Sequence, residues 1–184
     1  MNLPNFISLA RLLSVPLIVW LILQEAWTAA FLVFLAAGIS DAVDGYIATR
    51  FQMRTDLGSF LDPLADKALL VGIYVTLGVK GELPAWLVIL VVSRDMLLVG
   101  GTLLSLVMET EVVIRPLFIS KLNTACQIAL AVVVLAALGG FALPWIPAWP
   151  FIWLVAATTL LSGAGYLVQW ARAQGAPEGR GGPH

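Results

Sequence analysis

Four aspartates in the first third of the chain lie at spacings that place them on helix faces. Asp41 and Asp44 are three residues apart, and Asp62 and Asp66 are four residues apart. Because residues three or four apart share one face of an α-helix, each pair directs two carboxylates to one side. Carboxylate oxygens are the ligands that hard divalent cations prefer. The spacing therefore predicts a site for divalent cations, and a pair of such ions can clamp a phosphate group during its transfer.

The rest of the chain is far more apolar than a soluble domain. Its 184 residues are 60% hydrophobic and 11% charged, with a mean hydropathy of +0.96, whereas soluble domains carry about 25% charged residues. A lipid bilayer is therefore the expected surroundings. The net charge of -1 offers no basic surface for nucleic acid. Charges within spans cost roughly 2.5–3.5 kcal/mol each on insertion scales, and no cluster of Lys or Arg accompanies the aspartates within their own spans.

Six apolar stretches are each long enough to cross a bilayer, which takes about 20 residues. They cover roughly residues 6–24, 28–49, 57–79, 84–107, 119–139 and 148–170. The predicted fold is an all-α membrane protein with six transmembrane helices. We expect one membrane domain over residues 1–174, followed by a disordered tail, rich in Gly and Pro, at 175–184.

The basic residues between the spans predict the orientation, since Lys and Arg are enriched on the cytoplasmic side. With the N-terminus inside, that side collects Arg50, Arg54, Arg115, Lys121, Arg172 and Arg180. The opposite side has only Lys80. Both termini are therefore expected in the cytoplasm.

The short connection between the second and third spans predicts an antiparallel hairpin that brings the four aspartates together at its cytoplasmic end. Two other interpretations remain open. The carboxylates could reach water at the ends of their helices, or they could form the ion site of a cation transporter. A transporter site is expected near the midplane on broken helices from related repeats, and the sequence contains no repeat.

The acidic stretch also resembles the signature of a known family, the CDP-alcohol phosphatidyltransferases. The shared positions, spread over residues 41–66, are Asp41, Asp44, Gly45, Ala48, Gly58, Asp62 and Asp66. The resemblance implies six transmembrane helices, a homodimer and a cytoplasmic cavity that holds two Mg²⁺ or Mn²⁺ ions. It implies that all four aspartates bind metal, and that Asp66 is also the general base that takes the proton of the acceptor hydroxyl.

By the same resemblance, the CDP group would be bound where the second helix ends and the third begins. The expected residues are Gly45, Ala48, Thr49, Thr55 and Gly58. The family usually has Arg directly after the Ala, where this chain has Thr49. Arg50 follows, but one residue further along a helix is a rotation of about 100°.

Two basic patches are candidates for the acceptor alcohol. Arg94, within the fourth span, is predicted to bind a phosphate of the acceptor; an internal pair with a carboxylate is the alternative. Arg115, Lys121 and Asn123 suit an anionic head group, and anchoring to anionic lipids is the alternative for them. The segment around these residues resembles eukaryotic-type cardiolipin synthases.

Phosphatidylglycerophosphate synthases share the pattern of Asn5 and Arg11, so further substrate contacts are expected from both. The resemblance therefore favours transfer of a phosphatidyl group from CDP-diacylglycerol to phosphatidylglycerol, giving cardiolipin and CMP. The second interpretation is a phosphatidylglycerophosphate synthase that uses glycerol-3-phosphate. The short N-terminus, without an Arg-rich transit stretch, favours a bacterial inner membrane with the site facing the cytoplasm.

Overall fold

The computed structural model describes residues 3–51, 56–107, 118–141 and 147–174. They form six α-helices. In chain order these are α1 (Leu3–Leu23), α2 (Trp27–Phe51), α3 (Asp56–Val79), α4 (Ala85–Val107), α5 (Phe118–Leu138) and α6 (Ala148–Gln174). The described residues contain no strand, so the predicted all-α class and the six helices are confirmed. The largest difference from the predicted bounds is at the end of α6, where the helix continues from residue 170 to Gln174.

Among the described residues, two helical segments are long and apolar enough to cross a membrane. They are Phe118–Leu138, which is α5, and Ala148–Tyr166 of α6. Ala10–Leu23 and Trp27–Asp41 are shorter apolar helices. Six complete spans therefore remain a prediction. The tail at 175–184 lies outside the described residues.

Three helices end in the same way, with a residue of positive φ. These residues are Glu25 after α1, Gly81 after α3 and Gly140 after α5, with φ of 58°, 81° and 74°. After each of them the main-chain N–H of the next residue donates to a carbonyl five residues back, as in Ala26 to Leu21 at 2.9 Å. This is the hydrogen bond of a Schellman motif, which satisfies a carbonyl at a helix C-terminus. The described residues 24–26, 80–84 and 139–141 form what we call the turn end of the bundle.

The opposite end, where α2 ends and α3 begins, is called here the acidic end. Helix α1 packs against both α2 and α3, and no packing of α2 directly on α3 occurs in the part of the chain that the structure describes. The two helices of the predicted hairpin are therefore joined through α1 and α5, each of which packs against both. Helix α5 packs against α2, α3 and α6, and α4 against α3 and α6.

Glycine allows α1 and α3 to approach closely in the middle of the bundle. A Cβ atom added at Gly72 would lie 3.2 Å from Cγ1 of Val15, which is one helical turn after Arg11. Large apolar side chains fill the core on either side, among them Ile18, Ile73 and Leu130. The close contact of α1 with α3 positions the site described next.

Candidate active site

A buried arginine joins two of the four predicted aspartates. One terminal nitrogen of Arg11, Nη1, lies 2.5 Å from Oδ1 of Asp66, and the other, Nη2, lies 2.5 Å from Oδ1 of Asp41. The Arg11 side chain is 2% exposed, whereas those of Asp41 and Asp66 are 44% and 42% exposed. The two carboxylates thus contact a buried guanidinium and are themselves partly exposed.

The basic partner of the aspartates is a finding that the sequence reasoning missed. The sequence predicts Arg11 as a contact of the substrate, and a basic partner of the aspartates was sought only within their own spans. The structure instead pairs Arg11 with the acidic residues of α2 and α3. The available signal was the lone arginine within an apolar helix, since such a charge is almost always paired.

The other two predicted metal ligands lie one helical turn from this pair. Asp44 follows Asp41 on α2, and Asp62 precedes Asp66 on α3. Their side chains lie outside the described residues, and no group of three or more metal-binding side chains occurs among those that the structure describes. The convergence of all four carboxylates therefore stays a prediction.

The donor chemistry of the described pair fits a hard divalent cation. Asp41 and Asp66 offer only oxygen ligands, they come from two different helices, and both are open on one side. Arg11 offsets part of the negative charge of the two carboxylates.

Four of the residues predicted to bind CDP lie on α2 and α3, near the acidic end. Gly45, Ala48 and Thr49 belong to the last turns of α2, and Gly58 belongs to the first turn of α3. Thr55 lies outside the described residues. Three of these positions thus follow Asp41 on α2, and Gly58 precedes Asp66 on α3. Their role in binding CDP remains a prediction.

A second polar cluster surrounds Arg94 and connects four helices. The Arg94 guanidinium donates to Asp95 Oδ1 at 2.6 Å, to Ser120 Oγ at 2.6 Å and to Ser162 Oγ at 2.6 Å. Lys67 Nζ lies 2.8 Å from the same Asp95 oxygen. Arg94 is 3% exposed, so the internal carboxylate pair that the sequence left open is present. The assignment of Arg94 to the acceptor remains a prediction.

Lys67 is a charged residue of this cluster that the sequence reasoning did not single out. It follows Asp66 directly in α3, so the two polar centres are adjacent along the helix. Its position in an apolar span was the available signal.

The remaining predicted acceptor residues have different positions. Asn123 is fully buried, and its Oδ1 lies 2.8 Å and 2.9 Å from the hydroxyls of Thr158 and Thr159 on α6. Lys121 is exposed. Arg115 and the side chain of Asn5 lie outside the described residues. Asn123 therefore joins α5 to α6 in this structure, and the contacts of these residues with the acceptor stay predictions.

The fold and the site together define a six-helix protein with an acidic centre of oxygen donors at one end. Comparison with known sequences then gives the family. The profile of the CDP-alcohol phosphatidyltransferases matches residues 1–178. The chain belongs to the CDP-alcohol phosphatidyltransferase family, which confirms the resemblance of the acidic motif.

Curated relatives carry two different activities in their names. The chain is similar to CDP-diacylglycerol–glycerol-3-phosphate 3-phosphatidyltransferase 1, chloroplastic, of Oryza sativa, with 36% identity over 188 residues, covering 92% of this chain and 57% of the rice protein. It is similar to human cardiolipin synthase (CMP-forming), with 36% identity over 152 residues, covering 74% of this chain and 50% of the human protein. A probable phosphatidylglycerophosphate synthase of Mycobacterium tuberculosis is 33% identical over 149 residues, covering 78% of this chain and 66% of that protein. The chain thus spans about half the length of several curated relatives that it matches.

Proposed function

We propose that the protein transfers a phosphatidyl group from CDP-diacylglycerol to phosphatidylglycerol, giving cardiolipin and CMP. Family membership supports the reaction type. The observation that carries the proposal is the pair of open carboxylates, Asp41 and Asp66, held together where the family's motif expects metal ligands and a base. Similarity to cardiolipin synthases supports the acceptor.

A second acceptor, glycerol-3-phosphate, has support of its own. The rice relative named for that acceptor has the same identity, 36%, over a larger share of this chain. Both acceptors carry a glycerol hydroxyl and a phosphate, so the same site chemistry serves either. The product in the second case is phosphatidylglycerophosphate.

Transfer at phosphorus requires in-line positioning and charge neutralisation more than covalent catalysis. Asp41, Asp44, Asp62 and Asp66 would hold two divalent cations, Mg²⁺ or Mn²⁺, which would neutralise the charge that develops on the phosphates. Asp66 takes the proton from the acceptor hydroxyl. The acceptor oxygen forms a new bond to the lipid-linked phosphorus, and the bond from that phosphorus to the oxygen of CMP breaks. Because Asp66 is 42% exposed, it can release the proton to solvent.

The membrane arrangement that goes with this function has six spans, both termini in the cytoplasm and the acidic end facing the cytoplasm of a bacterial inner membrane. Exposed tryptophans at the turn end support it. Trp20, Trp149 and Trp153 are exposed there, and the rings of Trp86 and Trp153 are 5.5 Å apart. Tryptophan is enriched at membrane interfaces because its ring is amphipathic. A homodimer and a separate tail at 175–184 complete the proposal.

The transporter interpretation receives less support. It expects discontinuous helices at the ion site, whereas α2 is continuous from Trp27 to Phe51 and α3 from Asp56 to Val79. Family membership also favours transfer chemistry over transport.

An assay with the purified protein in lipid vesicles tests the function. CDP-diacylglycerol is supplied with phosphatidylglycerol or with glycerol-3-phosphate, with and without EDTA, and the products are identified by mass spectrometry. We expect cardiolipin and CMP from phosphatidylglycerol, loss of both with EDTA, and recovery with added Mg²⁺ or Mn²⁺. Product from glycerol-3-phosphate alone would overturn the cardiolipin assignment, and absence of CMP with either acceptor would overturn the activity itself.

A further inference from the structure

The position of Arg11 separates it from any bound substrate. Its side chain is 2% exposed, and its two terminal nitrogens lie against Asp41 and Asp66. The side chains of Asp41 and Asp66 are the more exposed members of this cluster, at 44% and 42%. A substrate phosphate approaching from the open side would meet the carboxylates and their cations before it met Arg11.

Arg11 brings one positive charge to the site. A fixed positive charge in contact with two predicted metal ligands has two effects of opposite sign. Its planar guanidinium donates a hydrogen bond to Asp66 and forms an ion pair with Asp41, so it can fix the relative position of carboxylates from two helices. Its charge also repels any cation that binds to the same carboxylates.

We propose that Arg11 is a positioning residue that aligns Asp41 and Asp66 through its fork and weakens their affinity for divalent cations through its charge. The inference rests on the proposed function only in taking these two carboxylates as cation ligands. It assigns Arg11 to the protein side of the site rather than to the substrate. It also explains how two carboxylates keep one alignment although α2 and α3 do not pack directly on each other in the described residues.

The two effects can be separated by substitution. Arg11→Met removes both the charge and the fork. Arg11→Lys keeps the charge, but its single nitrogen on a flexible stem lacks the planar, rigid guanidinium that places separate nitrogens against Asp41 and Asp66. Lys80→Met is the matched control, because Lys80 also pairs with a carboxylate, Glu25, but at the turn end.

The test is titration of each purified variant with Mn²⁺ alone, followed by electron paramagnetic resonance, with no lipid substrate present. We expect Arg11→Met to bind Mn²⁺ about tenfold more tightly than the wild type, since a nearby like charge is lost. Arg11→Lys should stay within about twofold of the wild type, and Lys80→Met should not differ from it. In the transfer assay, both Arg11 variants should lose kcat by about tenfold or more with little change in KM for CDP-diacylglycerol, since alignment is lost in both.

Several outcomes would overturn the inference. Weaker or unchanged Mn²⁺ binding by Arg11→Met would show that Arg11 only supports the fold. Arg11→Gln replaces it if Arg11→Met does not elute as a folded species in size-exclusion chromatography, with the same tightening expected. Absence of Mn²⁺ binding in every variant, the wild type included, would remove the inference together with the cation site, and CMP release by the wild type then shows separately whether the proposed reaction stands.

Discussion

The ion-pair cluster of Arg11 and the single pair of Lys80 with Glu25 connect α1 and α3 at different levels of the bundle and differ mainly in burial. At the acidic end, the buried Arg11 joins α1 to Asp41 of α2 and Asp66 of α3. At the turn end, Lys80 after α3 lies 2.6 Å from Glu25 after α1, and the two side chains are 23% and 63% exposed. Both Arg11–Asp66 and Glu25–Lys80 connect residues 55 apart in sequence. Pairs with the same separation in sequence thus connect α1 and α3 in two different surroundings.

Burial explains why the two pairs matter differently. Water and salt screen an exposed pair, and holding two long side chains in place has an entropic cost, so such pairs contribute little. A buried charge that loses its partner is destabilising because it is no longer compensated. We therefore expect the buried ion pairs to align the carboxylates of the acidic end. The turn end is stabilised mainly by its main-chain hydrogen bonds and its packing.

The largest effect is expected for Asp66→Asn. The amide cannot take the proton of the acceptor hydroxyl, and general bases contribute about 10²–10⁴-fold to such rates. CMP release should fall by that amount. The matched control is Glu25→Gln, the same loss of one carboxylate charge at the turn end, which should keep the wild-type rate. Turnover by Asp66→Asn at the rate of this control would remove the assignment of Asp66 as the base.

The next effect concerns the stability of the two ion pairs. In EDTA, Arg11→Met should lower the free energy of unfolding by about 1–3 kcal/mol, less than for a fully buried pair because both carboxylates are partly exposed. Lys80→Met should lower it much less, because the pair of Lys80 with Glu25 is exposed. Thermal unfolding in detergent measures both. Equal losses in the two variants would show that burial does not separate the two ends.

A third prediction tests whether packing, and not charge, holds the turn end. A Cβ atom at Gly78 would lie 2.9 Å from Cγ2 of Val88 on α4, and valine in a helix has essentially one rotamer. Overpacking costs about 1–3 kcal/mol, which the better helix propensity of alanine offsets by about 1 kcal/mol. Gly78→Ala should therefore lower the unfolding temperature.

Gly163→Ala on α6 is the control for that substitution. Nothing lies within 4 Å of the added Cβ there, so the unfolding temperature should stay the same or rise. A Gly78→Ala variant as stable as Gly163→Ala would show that α4 can move away from α3 without loss.

The smallest effect is the pH dependence of the turn end. The hydrogen bond from Lys80, and then its charge, hold the pKa of Glu25 below the ordinary value of 4.5. A carboxylate with a lowered pKa stabilises the fold above its ordinary pKa, and this contribution is lost as the pH falls through the lower value. The difference in unfolding temperature between wild type and Glu25→Gln should be constant above pH 4.5 and shrink below it. A difference that grows on acidification would contradict the sign.

The helices could be predicted because apolar length and turn residues agree along the chain. The apolar run that ends α3 is followed by Gly81, and the run of α5 by Gly140, and both glycines adopt the positive φ that a helix C-terminus favours. Glu25 adopts the same conformation after α1 with φ of 58°. Its side chain gives no such signal, because glycine or asparagine normally occupies that position.

The site could be predicted only as far as spacing within one helix allows. Asp41 with Asp44, and Asp62 with Asp66, are neighbours by helical geometry alone. The contact of Arg11 with Asp41 and Asp66 depends on α1 packing against both α2 and α3, and helical spacing carries no information about which helices pack together. For the same reason the sequence could not decide whether Arg94 binds the acceptor or forms an internal pair. Its partners Ser120 and Ser162 lie on other helices.

The most direct test of the central claim is to count the divalent cations that the acidic end binds and relate them to CMP release. The purified protein is equilibrated with Mn²⁺ and CDP-diacylglycerol, and the bound metal is measured per chain for the wild type and for Asp41→Asn. We expect two Mn²⁺ ions per wild-type chain, fewer in Asp41→Asn, and loss of CMP release with them. Full CMP release from a wild-type protein that retains no cation would contradict the account.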